Sequence, residues 1–158
     1  MAAIIPDSVK RLIETWRLGF IATADADGTP NLSPTGTFAV LDEGRIGFAE
    51  MRSPRTAANI AVRPDVEVNF VDILTRKGAR LRGKAKMVPL ADAEFAELLP
   101  HFAPHWPDLV DAFNGIVVID IESCRPLASP AYEFGAQESE LVALWQQKIA
   151  TVAAGGTP

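Results

Sequence analysis

The sequence predicts a mainly β (α+β) fold, a small antiparallel barrel of about six strands with helices set between and after them. Three observations predict it. Apolar runs of strand length follow one another at short spacing, with turn residues such as Asp27-Gly28 and Asp42-Glu43-Gly44 between them. The segment Ala79 to Val88 alternates apolar or small residues with cations, the period of a strand with one face in a core. Helical periodicity is confined to the two ends and to short inserts, so no regular β-α alternation builds a parallel sheet.

Ile4 to Trp16 reads as the first helix, because Val9, Leu12, Ile13 and Trp16 recur at helical spacing; Asp7 or Ser8, just after Pro6, is its cap. Leu18 to Ala24 is the first strand, and Asp27-Gly28 makes a hairpin turn. The return strand is Thr29 to Leu41, in which Pro30 and Pro34 cannot donate to a ladder and mark an edge or a bulge. Ser33, Thr35 and Thr37 alternate on one face of it, either as the solvent side of a hairpin or as room and hydrogen bonds for a flat ligand.

A strand from Ile46 to Glu50 leads into a helix that starts at Pro54 and stops before Pro64, which disfavours helical geometry at Arg63. Val66–Val71 and Ala79–Val88 are strands. The latter puts Arg80, Arg82, Lys84 and Lys86 on one face, either a solvated surface or, through Arg82 above all, a reach toward a bound anion. Gly83 marks a bend or a close backbone approach. Short helices at Asp92–Leu99 and Pro107–Phe113 are separated by prolines. Gly115 to Ile121, GIVVIDI, is a strand buried on both faces, in a barrel core or a subunit contact. Ser129 to Gly135 is irregular and aromatic, and Glu138 to Ile149 is an amphipathic helix with Leu141, Leu144, Trp145 and Ile149 on one side.

With 158 residues and 48% apolar content the chain forms one domain with a full core, read as residues 1–152 followed by a flexible tail, 153–158. A formal net charge of -5 argues against a nucleic-acid partner. A single cysteine, Cys124, excludes an internal disulfide and a Cys-pair zinc site. His101 and His105 are interrupted by Pro104 and lack an acidic partner in a metal-binding pattern, so no metal is expected. No apolar run approaches the roughly eighteen residues of a membrane span and no signal core opens the chain, which predicts a soluble, cytoplasmic protein without a membrane partner.

The charge pattern at the Pro54 helix is unusual. Ser53 stands at the N-cap and Pro54 at the first helical position, where a missing N–H is harmless. Arg52 and Arg55 flank this positive end, where cations are mildly unfavourable. With Thr56 they make sense around an anion, and a phosphate is the usual one; otherwise Ser53 merely caps and the arginines are solvated. No Walker or GxGxxG loop is present.

The order NLSPTGTF, RIGFAEMRSPRTAANI, VEVNFV and RLRGKAKMV resembles the pyridoxamine 5'-phosphate oxidase-like, FMN-binding split β-barrel family, in its branch of small FMN-binding proteins. The likeness covers roughly Leu18 to Val88, with a weaker likeness after Gly115. It implies a six-stranded antiparallel split β-barrel with flanking helices, and a homodimer with two FMN molecules in clefts at the subunit interface. It implies that Ser53 and Arg55 hold the FMN phosphate, with Thr56 beside them and Arg52 in support. Asn59 matches a family asparagine with a structural role. Ser33, Pro34, Thr35 and Gly36 match the segment along the isoalloxazine ring. Tyr132, in SPAYEFG, is the stacking candidate, from the same or the other subunit, while Arg82 remains, from the strand pattern alone, the candidate for a further cation on the anion.

The chain departs from a true pyridoxamine 5'-phosphate oxidase in two respects. It lacks that enzyme's C-terminal substrate-binding segment, and it has Ser53-Pro54-Arg55 where the oxidase has Ser-Arg-Lys. The resemblance therefore implies an FMN-dependent oxidoreductase other than that oxidase, passing electrons from NAD(P)H or a partner to a small acceptor. No acid–base pair stands out as catalytic. The alternatives are a non-catalytic FMN electron carrier or store, or a relative that binds deazaflavin F420. Haem ranks last because no histidine falls in the matched region.

Overall fold

The computed structural model describes residues 3–157; Met1, Ala2 and Pro158, at the ends of the expected domain and tail, lie outside the described residues. One seven-stranded antiparallel sheet organises the chain, in the order β2-β1-β5-β6-β7-β4-β3. Its strands are β1 Gly19–Ala24, β2 Pro30–Thr35, β3 Phe38–Val40, β4 Arg45–Glu50, β5 Asp65–Val71, β6 Lys77–Pro89 and β7 Gly115–Ala128. The two edge strands, β2 and β3, follow each other in the chain across Gly36 and Thr37 yet do not pair. The sheet is a curled, incompletely closed antiparallel layer with helices around it, a split β-barrel.

The expected single return strand Thr29–Leu41 is therefore two strands, which gives seven rather than six. Pro30–Thr35 pairs with β1, whereas Phe38–Val40 crosses to β4. The crossing is pinned by the Thr37 hydroxyl, which donates to the Ala49 carbonyl at 2.9 Å, and by the Phe38 N–H, which donates to the Arg17 carbonyl at 3.2 Å. The two prolines of β2 sit on an edge, where a missing donor is tolerated. β6 and β7 pair along their whole length with one register shift between Arg82 and Gly83. A Cβ on Gly83 would run into the Asp120 carbonyl oxygen, so this glycine is a close backbone approach. β7 continues to Ala128, beyond the apolar run that announced it, because its polar second half still has the β6 ladder to pair with.

Among the described residues four α-helices flank the sheet: α1 Asp7–Trp16, α2 Pro54–Val62, α3 Ala93–Leu98 and α4 Glu138–Ala153. α1 starts at Asp7 rather than Ile4; Pro6 holds the cap position and neither Asp7 nor Ser8 caps it through a side chain. Pro107–Ala112 is a 3-10 turn rather than an α-helix. α4 has a capping box between Gln137 and Glu140, and no residue in it is buried. Among the described residues no helix is long and apolar enough to cross a membrane.

The core has two parts. The barrel interior holds Ile21, Phe38, Phe48, Val68, Phe70, Leu81, Val117 and Ile119, with Ile13 of α1 packed in. Phe38 meets Phe48 and Phe70 edge-on at 5.2 and 4.9 Å between ring centroids, the arrangement aromatic quadrupoles favour. Outside the barrel, Ile116 and Val118 pack with Ala49, Val88, Leu98, Phe102 and Phe113. The GIVVIDI strand is thus buried on both faces by its own chain. The segment between α3 and β7 folds back over it, so its apolarity is no sign of a subunit contact.

Candidate functional site

The split edge and the start of α2 meet at one cavity. The turn between β2 and β3 contributes Pro34, Thr35, Gly36 and Thr37; the turn between β4 and α2 contributes Ala49, Met51, Arg52 and Ser53; Leu109 and Ala112 of the 3-10 turn close it. Its volume is about 460 Å³. Gly36 faces open space, since a Cβ there would meet nothing within 4 Å. Arg52 is exposed at the rim, and Arg55 is exposed on the first turn of α2. Neither has an ion pair or hydrogen bond among the described residues. The N–H groups of Arg55 and Thr56 are first-turn donors, and the first helical bond runs from Ala57 N–H to the Ser53 carbonyl at 3.0 Å.

Ser53 does not cap α2 with its side chain. Its hydroxyl donates instead to Glu50 Oε1 at 3.1 Å, and its N–H donates to the same oxygen at 2.6 Å. The other carboxylate oxygen, Oε2, accepts from Asn114 Nδ2 at 3.0 Å, and Asn114 also donates to the Met51 carbonyl at 2.7 Å. Glu50 is 4% exposed. Sequence reasoning missed Glu50, although an acid just ahead of a helix start is the favourable charge there. It also missed Leu109 and Ala112, for which no local signal exists.

Other residues singled out in the sequence lie behind or away from this cavity. Thr56 is fully buried, and its hydroxyl hydrogen-bonds the Ser33 hydroxyl at 3.0 Å and accepts from Asn31 Nδ2 at 3.1 Å. Asn59 donates to the Thr23 hydroxyl at 3.0 Å. These five side chains fasten α2 to the β1–β2 hairpin, and alternation put Ser33 on the same face as Thr35 without revealing that α2 claims it. Arg82 lies in a shallow depression with Thr23, Asp65 and Glu67, apart from the α2 turn. Tyr132 donates its hydroxyl to the Thr75 carbonyl and carries the Lys77 ammonium 4.9 Å over its ring. It follows the last residue of β7, while Asn114, beside the cavity, precedes the first. The 14 residues of β7 separate the two, roughly 40 Å of strand. Tyr132 is therefore outside the cavity of its own chain. A larger groove of about 680 Å³, between α1 and the far ends of β6 and β7, includes Thr75 and Lys77 but none of the expected cofactor residues.

The residues present fit a planar ligand with an anionic tail. Small side chains and an unfilled glycine line one wall, two guanidiniums without partners stand at the adjoining helix start, and apolar Leu109 and Met51 border the space. Among the described residues no cluster of metal-binding side chains occurs.

A family model described as Pyridoxamine 5'-phosphate oxidase matches residues 5–114. No protein of curated function matches the chain in sequence. Solved structures share its fold. One is an FMN-binding protein from Syntrophomonas wolfei subsp. wolfei (13% identity, 77% of this chain and 84% of that one, TM-score 0.63). Another is HutZ, the heme storage protein from Vibrio cholerae (19% identity, 77% and 92%, TM-score 0.63). A third is an F420 Reductase (23% identity, 77% and 98%, TM-score 0.59).

Proposed function

We propose, from the premise that this chain belongs to the pyridoxamine 5'-phosphate oxidase family, that it is an FMN-binding oxidoreductase rather than a true oxidase of pyridoxamine 5'-phosphate. One observation carries the reading: the cavity that joins the Pro34–Thr37 wall to Arg52 at the start of α2. The wall would lie along the ring system, and Arg52 and Arg55 would meet the phosphate together with the free N–H groups of the first helical turn. The flavin, when bound, supplies the redox chemistry, taking electrons from NAD(P)H or a partner and passing them to a small acceptor. The chain's own contribution is to hold and orient it and to keep one face open beside Gly36.

A homodimer accompanies this reading. GIVVIDI no longer argues for it. The support is the exposed apolar set Leu18, Phe20 and Leu32, at 47, 44 and 65% exposure, on the outer side of β1 and β2 next to Pro34 at the cavity. Light scattering should give twice the 17.0 kDa chain mass, and Leu32→Asp should shift it to monomer. A flavin-loaded monomer at micromolar concentration speaks against the dimer.

The test of the ligand is direct. Purified protein should release FMN on denaturation, identified by mass, and should bind FMN more tightly than riboflavin. Equal affinities would remove the phosphate site. The fold likeness to an F420 Reductase and to a heme storage protein gives the competing outcomes their form: a released deazaflavin or a haem spectrum would replace FMN. Anaerobic mixing with NADH or NADPH should bleach the flavin. Reduction by dithionite alone would assign it to a carrier or store.

A further inference from the structure

Glu50 is the one buried charged side chain among the described residues, and no cation neutralises it through a hydrogen bond. It holds both donors of Ser53, the N–H at 2.6 Å and the hydroxyl at 3.1 Å. Asn114 fixes its second oxygen at 3.0 Å, and the Asn114 N–H donates to the Glu50 carbonyl at 2.7 Å. The carboxylate is therefore a built-in anion at the helix start, made rigid from both sides. With its single proton committed to Glu50, the Ser53 hydroxyl has only lone pairs left to offer. A tail entering the cavity meets Arg52 and Ser53, which line it, with Arg55 on the adjoining first turn of α2 and the Glu50 carboxylate one hydrogen bond behind Ser53. The carboxylate opposes what the two guanidiniums offer, and its repulsion is twice as large for the dianion of a phosphate monoester as for a singly charged tail and nil for an uncharged one.

We propose that Glu50 is the specificity-determining residue for the charge of the ligand's tail, setting a penalty on a dianionic phosphate that an uncharged tail does not meet. The proposal rests on the flavin-phosphate reading and deepens it. Glu50→Gln keeps the shape and an acceptor for Ser53 while removing the charge. At pH 8 it should raise the preference for FMN over riboflavin by about tenfold or more, with riboflavin affinity within about twofold of the natural protein. Glu50→Met removes the charge in an uncharged, unbranched side chain of similar length and should raise that preference in the same direction, so the idea stays testable should the first variant fold poorly.

Dissociation constants for both flavins, by quenching of flavin fluorescence, give the answer. A rise of the ratio in Glu50→Gln or Glu50→Met supports the proposal. An unchanged ratio, or an equal loss for both flavins, would reduce Glu50 to a structural clamp and overturn it. If the natural protein binds both flavins equally, a preference for FMN in Glu50→Gln would show a phosphate site masked by Glu50 and support both readings; equal binding in the variant as well would overturn both.

Discussion

Two stretches of this chain are rich in cations, and the structure treats them oppositely. On the outer face of β6, Arg80 pairs with Glu67 at 3.1 Å, Lys84 with Asp65 at 2.5 Å and Lys86 with Glu94 at 2.6 Å. At the start of α2, Arg52 and Arg55 have no such partner among the described residues, and the acid nearest them in sequence, Glu50, turns its carboxylate to Ser53 and Asn114. Both stretches read alike as sequence. The difference teaches that cation density by itself does not mark an anion site: surface ion pairs occupy the cations of β6, whereas those at the α2 start stay available beside free helix N–H groups, which is what supports the proposed phosphate site.

The largest expected effect breaks the comparison if it fails. Arg55→Ala should weaken FMN binding by about 1.5–3 kcal/mol, the scale of a hydrogen bond to a charged group, and combining it with Arg52→Ala should weaken it further. Riboflavin affinity should hardly move. Titration calorimetry with both flavins checks this, and an equal loss for both would mean that the arginines shape the turn and do not meet a phosphate.

The hydroxyl cluster sharpens the contrast from the other side. Thr56 belongs to the same helix start but is sealed against Ser33 and Asn31. Thr56→Val should lower stability by about 1–3 kcal/mol through unsatisfied buried partners. Its effect on FMN should be small once the protein is folded. Denaturant melts with and without FMN separate the two, and a loss of FMN affinity without a loss of stability would bring Thr56 back into the site.

The paired face should respond least. Arg80→Ala should change stability by only about 0–1 kcal/mol, as half-exposed ion pairs do, and leave FMN binding alone. A weakened FMN affinity in this variant would erase the distinction between the two stretches. On the same face, the Lys84 ammonium beside Asp65 holds that carboxyl below its usual value of 3.8. A depressed folded value adds stability above the unfolded value, and the addition is lost as pH falls through the lower, folded one. The small stability gap between the natural protein and Lys84→Ala should therefore close on acidification. A gap that widens toward acid would contradict the pairing.

Local chemistry made much of this legible. Pro54 opens α2 as a first-position proline should, and the Asp42 side chain accepts from Gly44 N–H to form the turn that its residues announce. The alternation from Ala79 to Val88 gave β6 and its faces, because burial on one side of a strand leaves a period of two. Non-local events were not legible. The split of Thr29–Leu41 depends on Phe38 leaving β1's partner for β4, and the carbonyls that pin it belong to Arg17 and Ala49. Leu109 and Ala112 reach the cavity only because the segment after α3 folds over β7.

The sequence by itself thus determined the strand alternation, the helix start with its two arginines, and the small-residue wall from Pro34 to Gly36. Each is set by the period, propensity and capping preferences of residues close together in the chain. Only the tertiary structure decided which of these features share a space. It enclosed the hydroxyls of Ser33 and Thr56, gave Ser53's donors to Glu50, sent Tyr132 to the far end of β7, and covered GIVVIDI with its own chain. Those outcomes follow from how a curled sheet brings distant segments into register, where burial and hydrogen-bond satisfaction are settled between residues the chain does not place side by side.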